Sequence, residues 1–248
     1  MRRILTRLMG VFAAVAAEAA VLPFGYEQVE YIESTKDGKQ YINTGYVPTN
    51  LNVRIVADFN PLAKTGDWEV FFGVTGNDSS DDGVLLRYYN NEEINGWFCN
   101  ENYADARITG LADTRITAEL NKDGMTLNGE FVKIQSKGER PYNGPIYIFC
   151  GYNGQNKGPW RYHAMKLYSF RIYEGEKLER NFVPCISDEG KAGLYDTVQG
   201  KFYGNCGNNG DFQTGLRLPA GYERVEYIES TPGGKQYIDT DYVPTLDT

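Results

Sequence analysis

Asn52-Val53-Arg54-Ile55-Val56-Ala57-Asp58-Phe59 alternates apolar and polar side chains with a period close to two. Successive side chains of an extended strand point to opposite faces, so Val53, Ile55, Ala57 and Phe59 share one face. A helix would scatter those four around its axis. The pattern recurs in Thr114 to Leu120, which lines up Ile116, Ala118 and Leu120. Trp68 to Val74, Val84 to Tyr89, Ile146 to Tyr152 and Leu167 to Tyr173 read as further strands. Asn128-Gly129 sits between Met125-Thr126-Leu127 and Phe131-Val132. A two-residue type I′ hairpin needs positive φ at both central residues, and this dipeptide supplies it. Gln199-Gly200 predicts a similar turn, between a strand from Gly193 to Val198 and one at Lys201-Phe202-Tyr203.

So many short strands with apolar residues on both sides cannot all be buried by one sheet. They predict an all-β fold of two antiparallel sheets, as a sandwich, barrel or jelly roll. Composition agrees: the chain of 248 residues carries 19 tyrosines, 12 phenylalanines and 28 glycines. It has no long helix-period segment after residue 20. The net charge of −8 argues against nucleic acid, which needs a concentrated positive face.

The N-terminus has the make-up of a secretory signal. Arg2, Arg3 and Arg7 precede a short apolar run from Leu8 to Ala16, and Ala17-Glu18-Ala19 fits a small-x-small cleavage pattern. The alternative is an amphipathic leader helix. The signal reading places a signal peptide at 1–19 and the protein outside the cell or on its surface. No other segment is long and apolar enough to span a membrane.

Residues 218–245 repeat residues 22–49 at an offset of 196, with 22 of 28 positions identical. Leu22-Pro23-Phe24-Gly25-Tyr26 returns as Leu218-Pro219-Ala220-Gly221-Tyr222, and Glu30-Tyr31-Ile32-Glu33-Ser34-Thr35 as Glu226-Tyr227-Ile228-Glu229-Ser230-Thr231. The spacing is too long for a solenoid unit and suits one large all-β domain. The expected organisation is one domain at 22–215 and the first strands of a second copy at 216–248, as in a tandem array. Those strands, without their partner sheet, are expected to be disordered or to pair with an edge of a neighbouring copy.

Three stretches together resemble the laminin-G-like, concanavalin A-like jelly-roll modules of bacterial surface and phage tail proteins. They are the opening segment 22–46, the strands around Asn128-Gly129, and Leu167-Tyr168-Ser169-Phe170-Arg171-Ile172-Tyr173 with Asn181-Phe182-Val183-Pro184-Cys185, Gly193-Leu194-Tyr195-Asp196 and Gly200-Lys201-Phe202-Tyr203. The resemblance implies a jelly-roll sandwich whose termini lie near one another. It implies no particular ligand.

Glycosidases share that architecture, and a retaining one needs two carboxyl groups about 5 Å apart. The nearest approach to a Glu-x-Asp-x-Glu motif is Thr65-Gly66-Asp67-Trp68-Glu69, which lacks the first glutamate. Glu30 and Glu33 are three apart and face opposite sides of a strand. The single histidine, His163, has no nucleophile motif beside it and reads as a polar loop or strand-edge residue. Asp78, Asp81 and Asp82 lie in an acidic glycine-bounded loop and are candidate calcium ligands; the alternative is a solvated turn.

Carbohydrate recognition draws on aromatic rings and amides near loop boundaries. Tyr89, Trp97, Asn100, Asn102, Asn153, Gln155 and Trp160 supply that mixture. Of the four cysteines, Cys99 and Cys150 lie in apolar runs and read as buried thiols, while Cys185 and Cys206 flank a hairpin and are the better candidates for a bridge. The leading expectation is an exported, non-enzymatic module that binds a glycan or a cell-surface protein by adhesion. The alternatives are a structural or tail-fibre spacer, and a carbohydrate-active enzyme dependent on Glu69.

Overall fold

The computed structural model describes residues 22–35, 39–62, 66, 68–76, 83–89, 93–99, 107–109, 111, 113–134, 144–208 and 210–219. The expected signal peptide, 1–19, and most of the repeat at 218–245 lie outside them. The described residues form nineteen strands and no helix.

The chain begins with β1 (Glu27–Gln28), β2 (Ile32–Glu33) and β3 (Ile42–Asn43). The long β4 (Val53–Pro61) leads to β5 (Val70–Thr75), β6 (Val84–Tyr89), β7 (Glu93–Phe98) and β8 (Arg107–Ile108). Next come β9 (Ile116–Asn121), β10 (Gly124–Leu127) and β11 (Glu130–Lys133). They are followed by β12 (Tyr147–Ile148), β13 (Gly151–Asn153) and β14 (Gly158–Trp160). The chain then runs through β15 (Met165–Glu174), β16 (Lys177–Ile186), β17 (Ala192–Asp196), β18 (Lys201–Tyr203) and β19 (Gln213–Thr214).

Two sheets pack face to face. The first has the order β11-β10-β9-β4-β15-β16-β17-β18, with β1 on β16 and β2 between β15 and β19. The second has the order β14-β13-β5-β6-β7-β8, with β12 bridging β3 and β5. The alternation that predicted β4 is obeyed along its whole length: Val53, Ile55, Ala57 and Phe59 are buried and the residues between them half-exposed. Asn128 and Gly129 have φ of 48° and 84°, and Leu127 faces Glu130 across the two-residue turn.

Rings from both sheets knit the interior. Phe59 of β4 lies 4.9 Å from Phe71 and 6.3 Å from Phe72 of β5, centroid to centroid. Phe72 is 5.1 Å from Phe170 of β15, and Phe170 is 6.2 Å from Phe182 of β16. All five are fully buried. Each is held in a strand by neighbours on both sides, so the rings meet at fixed offsets and in edge-on or tilted geometry. Gly73 permits the close pairing of β5 and β6: with φ of 143°, a Cβ there would meet the Val84 carbonyl at 2.3 Å.

The structure departs from the sequence reading in four places. β17 ends at Asp196, so the predicted two-residue turn at Gln199-Gly200 is a four-residue loop, Thr197 to Gly200. The buried Asp196 carboxylate ends the strand by accepting the amides of Val198 and Asn181, each at 3.0 Å. The run Ile146 to Tyr152 is two strands, because the chain reverses at Phe149, whose φ is 70°. That reversal makes β13 parallel to β5, although the expectation was a wholly antiparallel sandwich. The bridge weighed for Cys185 and Cys206 is not formed. Cys185 is buried in β16 between Gln28 and Gly193, whereas Cys206 is exposed on a loop held to Tyr41.

Removing one ring of the inter-sheet stack tests its weight. Phe170→Ala is expected to lower unfolding free energy by about 3–5 kcal/mol, with an unchanged denaturant slope, in urea melts.

Candidate functional site

The second sheet has an outer face as well as a core face, and alternation divides them. In β7, Ile94 and Phe98 enter the main core while Trp97 points outward. Trp97 packs with Val70 of β5 and Leu85 of β6, and Trp160 of β14 leans on the same group. Arginines fill the spaces between the rings. The Arg87 guanidinium is 5.0 Å from the Trp97 ring and 4.8 Å from that of Trp68. Arg161 is 5.6 Å from Trp68 and 4.4 Å from Trp160. The three tryptophans of the chain therefore form one alternating series with two cations. Arg87 also donates from Nε to the Asn95 side chain at 3.4 Å. Trp97, Arg87 and Asn95 are buried, whereas Trp68, Trp160 and Arg161 are half-exposed. Trp68 and Arg161 both sit at positive φ, 65° and 54°. That conformation costs a non-glycine residue on the order of 1–3 kcal/mol.

On the other side of β14, Pro159 faces a different surface. Lys39, Tyr41, Pro159, Tyr162, Cys206, Gly207 and Asn208 line an open cleft of about 370 Å³. Its two tyrosines belong to a row of four that runs beyond the cleft. Tyr41 stacks on Tyr147 at 5.0 Å, Tyr147 meets Tyr152 edge-on at 5.1 Å, and Tyr41 meets Tyr162 edge-on at 6.1 Å. The loop carrying Cys206 is held down by paired bonds. The Cys206 amide donates to the Tyr41 carbonyl at 2.9 Å, and the Tyr41 amide to the Asn205 side chain at 3.2 Å. Gln40, on the buried face, donates to the Asp211 carbonyl at 2.6 Å. Tyr41 consequently turns outward between two inward residues, Gln40 and Ile42. Burial raises the Tyr162 hydroxyl to about 12, with Cys150 and Tyr41 adding to the effect. Tyr41 is raised in the same sense by burial and then by Cys206 and Cys150. Both hydroxyls stay protonated at neutral pH and can donate as well as accept.

The residues nominated from sequence fall in three groups. Trp97 and Trp160, 63 positions apart, meet on the outer face of the second sheet. Asn153 is half-exposed and accepts the Asn156 amide at 2.9 Å, fixing the turn on which Gln155 is exposed. Tyr89 ends β6 opposite Glu93, its side chain outside the described set. Asn100, Asn102, Asp78, Asp81 and Asp82 lie outside the described residues. Sequence reasoning missed Tyr41 and Tyr162. The alternation in Gln40-Tyr41-Ile42 was a usable signal for the first, since it sets Tyr41 apart from its buried neighbours.

Glu69 and His163 also differ from expectation. His163 does lie in the loop between β14 and β15, but it is buried rather than exposed, with its Nδ1 2.5 Å from a Glu69 carboxylate oxygen. Its ring lies edge-on to Phe71 at 4.8 Å and to Tyr88 at 5.2 Å. Glu69 thus points into the interior and away from both surfaces described above. Burial lowers the His163 pKa below the ordinary 6.5, and the Glu69 interaction offsets this in part. The neutral ring donates from Nδ1 to the carboxylate.

No family model matches the chain, and no curated protein matches it. The structure is similar to a crystal structure from Bacteroides ovatus ATCC 8483, of a protein provisionally named as carbohydrate-binding, with a TM-score of 0.50 and 12% identity. The alignment covers 77% of this chain and 62% of that one, so the chain spans less than two thirds of its neighbour. At this identity the likeness concerns the β-sandwich fold alone.

A histidine kept neutral by the fold makes stability depend on pH. Below 6.5 the unfolded chain takes up a proton that the folded chain resists, so stability present above pH 6.5 is lost as pH falls. Thermal melts from pH 7.5 down to 5 are expected to show that loss, with a shallower slope in His163→Gln.

Proposed function

We propose that the chain is a non-enzymatic β-sandwich module that binds a glycan in the cleft between Tyr41 and Tyr162. The observation that carries this reading is the cleft itself: two outward tyrosines and a proline ring frame a hollow of about 370 Å³. That lies within the range of about 300–1,000 Å³ common for small-molecule sites. Sugar rings present apolar C–H faces, which stack on such rings. Their hydroxyls match the tyrosine hydroxyls, the Lys39 ammonium and the Asn208 amide. Glycoside hydrolysis calls on a facing pair of carboxylates. The groups lining this cleft suit holding a sugar rather than cleaving it. The provisional carbohydrate-binding name of the Bacteroides ovatus neighbour is in keeping with this.

The wider proposal is an exported laminin-G-like, jelly-roll module acting in adhesion as one unit of a tandem array. The arginine-led N-terminus and the repeat at 218–245 support it. A second location, the Trp160–Arg161–Trp68 series, is favoured by the positive φ of Trp68 and Arg161.

Saccharide binding on a glycan array, followed by calorimetry, tests the site. Tyr162→Ala or Tyr41→Ala is expected to weaken binding roughly tenfold or more. Bound saccharide is also expected to slow alkylation of Cys206, the exposed thiol of the cleft, while Cys150 and Cys185 stay unreactive in their buried positions. Loss of binding in Trp68→Ala with Tyr162→Ala unaffected would move the site to the tryptophan face. An absence of binding by the folded chain would favour a spacer domain.

A further inference from the structure

We propose that residues 224–245 can take the place of residues 28–49 in this same sandwich, so that one chain carries two interchangeable occupants for one position. The position is well defined. Residues 28–49 supply Gln28 of β1 on β16, β2 on β15 and β3 on β12. Eight of their described residues are buried: Val29, Ile32, Ser34, Gln40, Ile42, Thr44, Tyr46 and Pro48. All eight recur unchanged, as Val225, Ile228, Ser230, Gln236, Ile238, Thr240, Tyr242 and Pro244.

The polar bonds made from the position recur with them. Ser34 donates to the His163 carbonyl and accepts the Met165 amide, Thr44 donates to the Ile146 carbonyl, and Tyr46 donates to Glu174. Each of these side chains has an identical counterpart.

The six differences across the full repeat, 22–49 against 218–245, are as informative as the identities. Lys36 and Asp37 lie outside the described residues. Phe24, replaced by Ala220, is fully exposed, and Gln28, replaced by Arg224, is half-buried on an edge strand. Asn43 accepts the Gly45 amide at 2.9 Å, a bond that the carboxylate of Asp239 can equally accept. Gly45 has φ of 65° with nothing within 4 Å of a Cβ, and its counterpart is Asp241, a residue type that tolerates that conformation. Gly25, at φ of 93°, is kept as Gly221.

The route into the position is short. The end of the described chain already runs antiparallel beside its beginning. Gln213 faces Glu33, Thr214 faces Ile32 and Arg217 faces Val29, and the Leu218 amide donates to the Gln28 carbonyl at 2.8 Å. Leu22 and Leu218 line one cleft together with Tyr26, Gln28 and Arg217. Shifting that register by the repeat offset sets Gln213 opposite Glu229, Arg217 opposite Val225 and Leu218 opposite Arg224. Residues 219–223 are then the loop of a β-hairpin, and five residues lie within the usual span of such loops. The swap thus needs no second molecule. It is a circular permutation that the sequence already contains.

The test uses the full chain. Glutamate at the fully buried Ile32, or at its counterpart Ile228, disables one occupant at a time, through Ile32→Glu or Ile228→Glu. Ile32→Glu is expected to remain a monomer with a cooperative transition, its Tm lowered by no more than about 10 °C. Slow amide exchange should move from residues 28–46 to 224–242. Ile228→Glu should match the unaltered chain, and the double variant should lose the cooperative transition. The proposal is overturned if Ile32→Glu unfolds as fully as the double variant. It is equally overturned if protection does not move to 224–242, or if the folded species is a dimer.

Discussion

The packing of aromatic rings between two sheets is the constraint on which the rest of this molecule depends. Phe59, Phe170 and Phe182 reach down from one sheet and Phe71 and Phe72 reach up from the other. Burying each ring contributes about 1.5–3 kcal/mol relative to exposure. The contribution is available only while the strands hold their registers, because a slip of one residue would turn the rings to the opposite face. Register, sheet order and turn chemistry are all coupled to this one layer.

The surfaces follow from that layer. A strand that sends one set of residues into the core must send the next set outward, so β5, β6 and β7 carry Val70, Leu85, Arg87, Asn95 and Trp97 on their outer side. The same rule turns Tyr41 outward between Gln40 and Ile42. The edge strand β14 separates the two surfaces, giving Pro159 to the tyrosine cleft and Trp160 to the tryptophan face. Two polar groups that remain inside are each held through one of their atoms, while His163 Nε2 and Asp196 Oδ2 have no hydrogen-bond partner among the described residues. His163 is held by Glu69, and Asp196 accepts two amides where β17 ends. Each is a place where a short polar bond overrides what pattern alone predicts.

The repeat takes on a physical meaning in the same frame. Its identities track burial: what the sandwich encloses is kept, and what differs among the described residues faces solvent or sits at an edge. A strand set selected for fit to one interior keeps that fit wherever it stands in the chain, because the interior reads side chains and not sequence position. The antiparallel pairing of residues 213–218 with 28–33 brings Leu218, the first residue of the repeat, beside the first copy.

Sequence alone determined the class of this fold and several of its parts. Period-two alternation marked β4 along its length, and Asn128-Gly129 marked a two-residue hairpin, because strand periodicity and turn conformation are local properties of the chain. It also named Trp97 and Trp160 without being able to say that they share a surface. Tertiary structure decided what depends on distant partners. It set Glu69 against His163, reversed the chain at Phe149 so that β13 runs parallel to β5, and kept Cys185 away from Cys206. It also assembled a cleft from Lys39, Tyr41, Pro159, Tyr162 and Cys206, which come from three separate stretches of the chain. Local pattern fixes which face a side chain occupies, but only the pairing of remote strands fixes which other side chains it finds there.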